Sequence, residues 1–373
     1  MGILLLFVAL LVVAGCGSET EEESPPPEAG LDSIELPAGF TIEVVTDDVP
    51  GARSLTISPN GTLYVGTRSQ RTIYAVTGAD GGDEAQVHTV AENLNIPNGV
   101  AWHDGSLFVS EQSRVLRFDD IDDRLADPPD PVTVLEGLPD EDTHGWRYIG
   151  FGPDEMLYVS VGAPCNICVP DGEVFGSILE VDPASGEWEP YASGIRNSVG
   201  FDWDPNGDAL WFTDNGADNL GNDVPPDELN KASEQGLHFG FPFCHGGDLA
   251  DEEFGDQRSC EETVAPEIKL GPHVAALGMR FYTADLFPEE FHNQILIAEH
   301  GSWNRSPAIG YRISQVRVED GEAVDYSTLA DGWLQDGEAW GRPVDVEIAP
   351  DGSLFVSDDL AGAIYRITYS GDS

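Results

Sequence analysis

Strict alternation of apolar and polar positions, in short runs closed by turns, organises this chain; long helical periodicity is scarce. One phrase recurs: "ISPNGTLYVGT" from Ile57, "AWHDGSLFVSE" from Ala101, "FGPDEMLYVSV" from Phe151, "WDPNGDALWFTD" from Trp203 and "IAPDGSLFVSD" from Ile348. Each copy carries Asn/Asp-Gly or a near equivalent, the residues a tight hairpin turn demands, and then an alternating strand such as Leu-Phe-Val. A sixth unit, "FYTADLFPEEFHNQILIAEH" (Phe281 to His300), fills the long gap before the last copy and ends in a similar strand. Further strands such as "RTIYAV", "SRVLRF", "SILEVD", "YRISQVRV" and "GAIYRITY" follow the phrase in most units. Six units of about four strands predict an all-β fold, a six-bladed β-propeller. A β-sandwich would also hold short strands but would not explain the repeat. The repeated residues build blades, so function is expected in the strand-end loops that depart from the repeat and converge on one face of the channel.

The N-terminus breaks the pattern. Ile3 to Ala14 is a continuous apolar run, too short to span a bilayer and fitting a signal-peptide core. "VAGC" resembles a lipobox, with Cys16 as the lipidated residue. An acidic, Pro-rich stretch follows with nothing to bury. The expected organisation is a lipoprotein signal peptide over 1–15, a tether over 16–34 and the propeller over 35–373. It places the protein outside the cytoplasm, in periplasm or at the cell surface, touching membrane only through a lipid anchor. In an exported chain the four remaining cysteines can pair. Four cysteines allow three pairings, and the sequential one, Cys165 with Cys168 and Cys244 with Cys260, is expected; a zinc site is the alternative.

Charge narrows the partners. The 373 residues carry 68 Asp+Glu against 17 Lys+Arg, a formal charge of −51 spread along the chain. Only Lys231 and Lys269 are lysines. Such a surface repels nucleic acid and anionic lipid. A high-salt habitat, where screening relieves the self-repulsion, explains it; an ordinary acidic extracellular protein is the alternative.

Three departures from the repeat carry unusual chemistry. In "DTHGWRYIGFGPD", His144 stands at a strand entrance, where a base near the channel mouth would sit, although a lone histidine is commonly structural. In "GIRNSVG", Arg196 and Asn197 enter the fourth blade, and arginine grips carboxylates bidentately. The loop "TDNGADNLGNDVPPDELN" that leaves this blade is dense in oxygen donors, which suits Ca²⁺ or a merely solvated acidic loop. In "EHGSWNRS" and "WGRPVDV", His300 and Arg305 leave the fifth blade and Arg342 enters the sixth. Each arginine alone reads as a surface ion pair. Together, Arg196, Arg305 and Arg342 sit at equivalent blade ends and suggest a multi-carboxylate cofactor bridged by a metal.

These pieces, with "PGARSL", "GFPFC" and "GRPVDV..APDGSLFVSDD", resemble the soluble PQQ-dependent sugar dehydrogenases, and within them the aldose/L-sorbosone dehydrogenase-like branch. The similarity runs from Leu36 to Tyr369. The resemblance implies a propeller with pyrroloquinoline quinone (PQQ) over the channel, Ca²⁺ on the quinone, and oxidation of a sugar or related alcohol or aldehyde. It implies His144 as the base, Arg196 beside the reactive quinone carbonyl, Asn197 and Asn215 as cofactor contacts, and backbone carbonyls of Gly216 and Ala217 on the calcium. Asp227 and Glu228 match a pair that supports a second calcium in relatives. Arg342 and Arg305 would face the cofactor, Arg305 or His300 replacing a lysine the family carries. Val344 stands where better-studied relatives have a second arginine, and Ala217 where they have proline. Electrons would leave to a cytochrome or a membrane quinone. Two other readings differ at the site: a calcium-dependent lactonase or hydrolase needs metal-ligating side chains on the axis and no cofactor arginines, and a non-catalytic binding propeller tolerates loss of His144.

Overall fold

The computed structural model describes residues 30–82 and 84–371. The signal segment 1–15, Cys16 and most of the tether lie outside the described residues. The chain forms a six-bladed β-propeller of four-stranded antiparallel sheets, with Leu237–His238 added in parallel as a fifth strand on blade 3. Blade 1 comprises Leu55–Ile57, Leu63–Val65, Ile73–Thr77 and Gln86–Ala91. Blades 2 to 5 begin at Val100–His103, Ile149–Phe151, Phe201–Trp203 and Ala276–Phe281. Blade 6 takes Pro343–Ile348, Leu354–Asp358 and Ala363–Tyr369 from the C-terminal end, and the early strand Phe40–Thr46 pairs outside Ala363–Tyr369. This pairing of early and late strands closes the ring, and the repeat alone did not reveal it. Leu31 and Ile34, inside the stretch read as tether, rest on the aromatic cluster of blades 5 and 6.

The recurrent phrase is the hairpin joining the first two strands of each blade. In blade 1, the amide of Ser58 bonds to the carbonyl of Thr62 at 3.0 Å, and Gly61 takes φ +83°. Glycine suits that left-handed position; in blade 3, Glu155 occupies it at φ 66°. The strand after the turn is buried on both faces: Leu63–Val65, Leu157–Val161, Leu210–Asp214, Ile295–Glu299 and Leu354–Asp358 show no exposed residue. Its two faces feed the gaps to either neighbour, and six apolar clusters fill the six gaps. Each fully buried Val, Leu or Phe contributes roughly 1.5–3 kcal/mol. A seventh, small cluster of Val199, Leu277 and Val344, with Trp146 against it, comes from the blade entrances and floors the channel mouth.

Candidate active site

A cavity of about 310 Å³ opens above that floor. His144 reaches it from an unusual backbone, φ 51°, and is buried. Arg147, from the same "HGWR", holds this turn by donating to the carbonyls of His144, Gln112 and Pro139 at 2.7–3.0 Å. Gly162 makes the room: a Cβ there would stand 2.5 Å from the Cβ of His144 and 3.0 Å from Oδ1 of Asn197. Nδ1 of His144 lies 2.7 Å from the carbonyl of Ala163. A carbonyl only accepts, so Nδ1 carries the proton and Nε2 is left as an acceptor. Burial, and then the positive charge of Arg196, push the imidazole down to about 4, so it stays neutral and basic at pH 7.

Asp214, the last residue of its strand, fixes the opposite wall. Its carboxylate accepts the backbone amides of Arg196 at 2.9 Å and Asn197 at 2.7 Å. The guanidinium of Arg196 then spreads over the loop, donating to the Asn215 carbonyl at 3.1 Å and to Asp218 at 2.8 Å. Asn215 ties the wall to blade 5 through the Ala276 carbonyl. Asp227 accepts the amides of Gly216 at 2.9 Å and Ala276 at 3.1 Å, closing the loop from below. Burial pushes its carboxyl up to about 7, and burial followed by the charge of Asp214 raises Glu228 as well.

His144, Arg196, Asn197, Asn215, Gly216, Asp227 and Arg342 all line the one cavity. Ala217 and Glu228 instead line a small recess of about 10 Å³ behind the loop, together with Asp214. Glu228 is also the first residue of the third strand of blade 4, paired with Asp214, rather than part of an open loop. Arg305 is a correction. Its guanidinium donates to the Asn222 and Pro307 carbonyls and pairs with Asp223 at 3.1 Å, bracing two outer loops away from the cavity. The neighbouring Trp303 and Asn304 line the cavity, but the Arg305 guanidinium is committed to Asn222, Asp223 and Pro307 and does not converge with Arg196 and Arg342. Both expected disulfides, Cys165–Cys168 and Cys244–Cys260, are formed.

Arg53 and Arg68 are cavity residues that the sequence reading did not assign. Arg53 pairs with Asp359 at 2.7 Å, and Asp359 also bonds His300 at 2.8 Å. Arg68 stacks over Trp146 at 4.0 Å. A signal for Arg68 existed in the repeat. Counting three residues on from Val65, Val109, Val159, Phe212, Ile297 and Val356 gives Arg68, Gln112, Gly162, Asn215, His300 and Asp359, a single position at the cavity end of each blade's second strand. Similarly, His144 and Arg196 are both the ninth residue ahead of their turn prolines, Pro153 and Pro205.

Four arginines (Arg53, Arg68, Arg196 and Arg342) thus face one cavity in a chain of net charge −51. This suits a ligand with several carboxylates. The buried Nε1 of Trp146 and Oδ1 of Asn304, which also line the cavity, meet no protein partner. Among the described residues no three His, Cys, Asp or Glu are arranged to hold a metal, so a cation here would draw on backbone oxygens. The carbonyls of Gly216 and Ala217 fit that need: among the described residues no donor meets either, and Ala217 is fully buried. The residues present therefore fit both PQQ and Ca²⁺.

Comparison with known proteins finds the same fold. The TrAA12-like family model matches residues 180–370. A Borreliella burgdorferi protein of uncharacterised function is 32% identical over 90% of this chain and 91% of its own length. The PQQ-dependent pyranose dehydrogenase of Coprinopsis cinerea is 22% identical over 88% of the chain, which spans about half (54%) of that protein. The holo structure of its PQQ domain superposes with a TM-score of 0.79 at 20% identity, covering 92% of this chain and 98% of that one. A calcium structure of the Trichoderma reesei AA12 enzyme gives 0.77 at 20% identity, with 91% and 97% covered.

Proposed function

The chain belongs to the TrAA12-like, soluble PQQ-dependent sugar dehydrogenase family, and from this premise we propose that it is a PQQ- and calcium-dependent dehydrogenase that oxidises a sugar or related alcohol or aldehyde of the aldose or sorbosone type. The observation that carries the reading is the convergence of four arginines and a neutral histidine on one cavity. A hydrolase site would not need the arginines.

PQQ, when bound, supplies the hydride acceptor, and the protein supplies binding, orientation and field. Arg53, Arg68 and Arg342 are placed to hold carboxylates. Arg342 is itself aimed by the carbonyls of His300 at 3.1 Å and Gly301 at 2.9 Å. His144 takes the proton of the substrate hydroxyl on Nε2, while Nδ1–H stays on Ala163 and fixes the tautomer. Arg196 has five N–H donors, four of them committed to the loop, and the remaining one on Nη1 is free to stabilise negative charge as it develops. The carbonyls of Gly216 and Ala217 would hold Ca²⁺ as a Lewis acid beside it, with Asp227 bracing that loop through the Gly216 amide and Glu228 holding the Gly246 amide behind it. The apolar segment and Cys16 support export and a lipid anchor, which would keep the enzyme near a membrane quinone or cytochrome acceptor.

The test is titration of the purified protein with PQQ, followed by absorbance, and dye-coupled turnover on an aldose panel with and without Ca²⁺. The expected result is stoichiometric, Ca²⁺-dependent PQQ binding and sugar-dependent dye reduction. Absence of PQQ binding at excess Ca²⁺ would remove the dehydrogenase and favour a binding propeller.

A further inference from the structure

The C-x-x-C has no part in the chemistry above, yet it touches the site. Residues 162–176 join the second and third strands of blade 3 and contain no strand. Cys165 and Cys168 close a four-residue turn within this loop, and the turn presents Asn166. This asparagine is exposed, whereas Arg196 beside it is 4% exposed. The Asn166 carbonyl accepts from Nε of Arg196 at 3.0 Å, and its Oδ1 accepts from Nη2 at 2.8 Å. The same Oδ1 accepts the amide of Asp218 at 2.8 Å, and Nδ2 donates to the Asp218 carbonyl at 2.9 Å. Asp218 in turn pairs with Nη2 of Arg196 at 2.8 Å and accepts from Asn304 at 2.8 Å.

We propose that Asn166, presented by the Cys165–Cys168 bridge, is a positioning residue for Arg196, clamping the guanidinium so that one Nη1 N–H faces the reacting centre; the catalytic part of this inference rests on the dehydrogenase reading. Half of the four committed N–H groups of Arg196 end on Asn166. An exposed side chain that must hold one rotamer loses conformational entropy, and a covalent clip around it restricts the turn in advance. Arginine held by fewer bonds regains its own rotamer freedom, and a donor aimed at developing charge is effective only when fixed beforehand. The bridge therefore acts on the site through one neighbour, in a way a plain loop staple would not.

The test compares full-length wild type, Asn166→Ala, Asn166→Asp and the Cys165→Ala/Cys168→Ala double variant. The aspartate variant keeps the oxygen that Arg196 and the Asp218 amide share, so it serves as the rescue. The first readout needs no cofactor: labelling of Arg196 in the apo protein by phenylglyoxal, mapped by peptide mass spectrometry. Labelling should speed up several-fold in Asn166→Ala and in the double cysteine variant and return towards wild type in Asn166→Asp. The second readout is PQQ affinity and dye-coupled kcat and KM. Asn166→Ala should lower kcat by about tenfold, less than the 10²–10³ for loss of a whole charge-stabilising donor, with sugar KM and melting temperature near wild type. Unchanged Arg196 labelling in both Asn166→Ala and the cysteine variant would overturn the clamp, as would unchanged kcat in a PQQ-loaded Asn166→Ala enzyme. Failure of wild type to bind PQQ would strike the dehydrogenase reading instead, and the labelling result would still decide the clamp.

Discussion

At the scale of single residues, the site separates binding from proton transfer. Three arginines can hold an anionic ligand without His144, and His144 can take a proton without contributing charge. His144→Gln keeps a polar side chain of similar size but removes the basic nitrogen. It should lower turnover by about 10²–10⁴-fold, the usual worth of a general base, and leave PQQ affinity within a few-fold in an absorbance titration. Turnover near wild type in this variant would refute the base. The pH profile adds a second reading of the same residue. An ordinary histidine loses its basic form below about 6.5. In this site burial and Arg196 hold the imidazole down to about 4. The shift is downward, so the basic form persists to lower pH. The acid limb of kcat/KM should therefore lie well below 6, and a limb at 6.5 would show that the histidine is not desolvated as described.

Among the elements, the second strand of each blade does most of the positioning. It is buried on both faces, so its register is fixed, and in blades 1, 4 and 5 a residue just beyond its end (Arg68, Asn215, His300) lines the cavity. Long insertions need other restraints. The segment between Cys244 and Cys260 has two short strands, a 3₁₀ turn and few apolar side chains. It does have polar braces: Glu228 accepts the Gly246 amide at 2.7 Å, and Asp251 pairs with His245 at 3.1 Å. The bridge spans a sequence separation of 16, and closing such a loop contributes roughly 3 kcal/mol in the chain-entropy model. Cys244→Ala/Cys260→Ala should thus lower the denaturation midpoint clearly. Because Cys244 lines the recess behind Ala217, the variant should also weaken Ca²⁺ binding measured by calorimetry. An unchanged midpoint would show that the polar braces alone hold the insertion.

For the whole molecule, charge is the dominant fact. The sequence carries a formal −51, and most of its carboxylates lie in the folded residues. The Debye length falls from about 10 Å at 0.1 M salt to about 3 Å at 1 M, so neighbouring carboxylates cease to repel. The melting temperature should climb between dilute buffer and molar salt. A flat response would end the high-salt reading and leave the catalytic one standing. The arginine-lined cavity runs against this background, so high salt should weaken PQQ binding even while it stabilises the fold.

The sequence by itself determined the blades. A period of two, repeated turn residues and six copies of one phrase admit few folds, because alternating faces and hairpins are local properties. It also marked His144, Arg196, Asn215 and Gly216, which interrupt the repeat at blade ends, and it pointed to both disulfide pairings. Tertiary structure alone decided which interruptions meet. Arg305 and Arg342 look alike in sequence, yet one braces outer loops and the other lines the cavity, because the partners of Arg305, Asn222 and Asp223, come from a loop some eighty positions earlier. Arg53 lies in "PGARSL" and Arg68 at a recurring blade-end position, yet only ring closure by Phe40–Thr46 sets blade 1 beside blade 6 and pairs Arg53 with Asp359. Val344 reads as a lost arginine, but in the fold it packs with Val199 and Leu277 as cavity floor, while Arg68 on Trp146 brings a charge from another blade. Local chemistry writes strands and turns; which side chains share a cavity depends on contacts between residues hundreds of positions apart, and these exist only once the ring has closed.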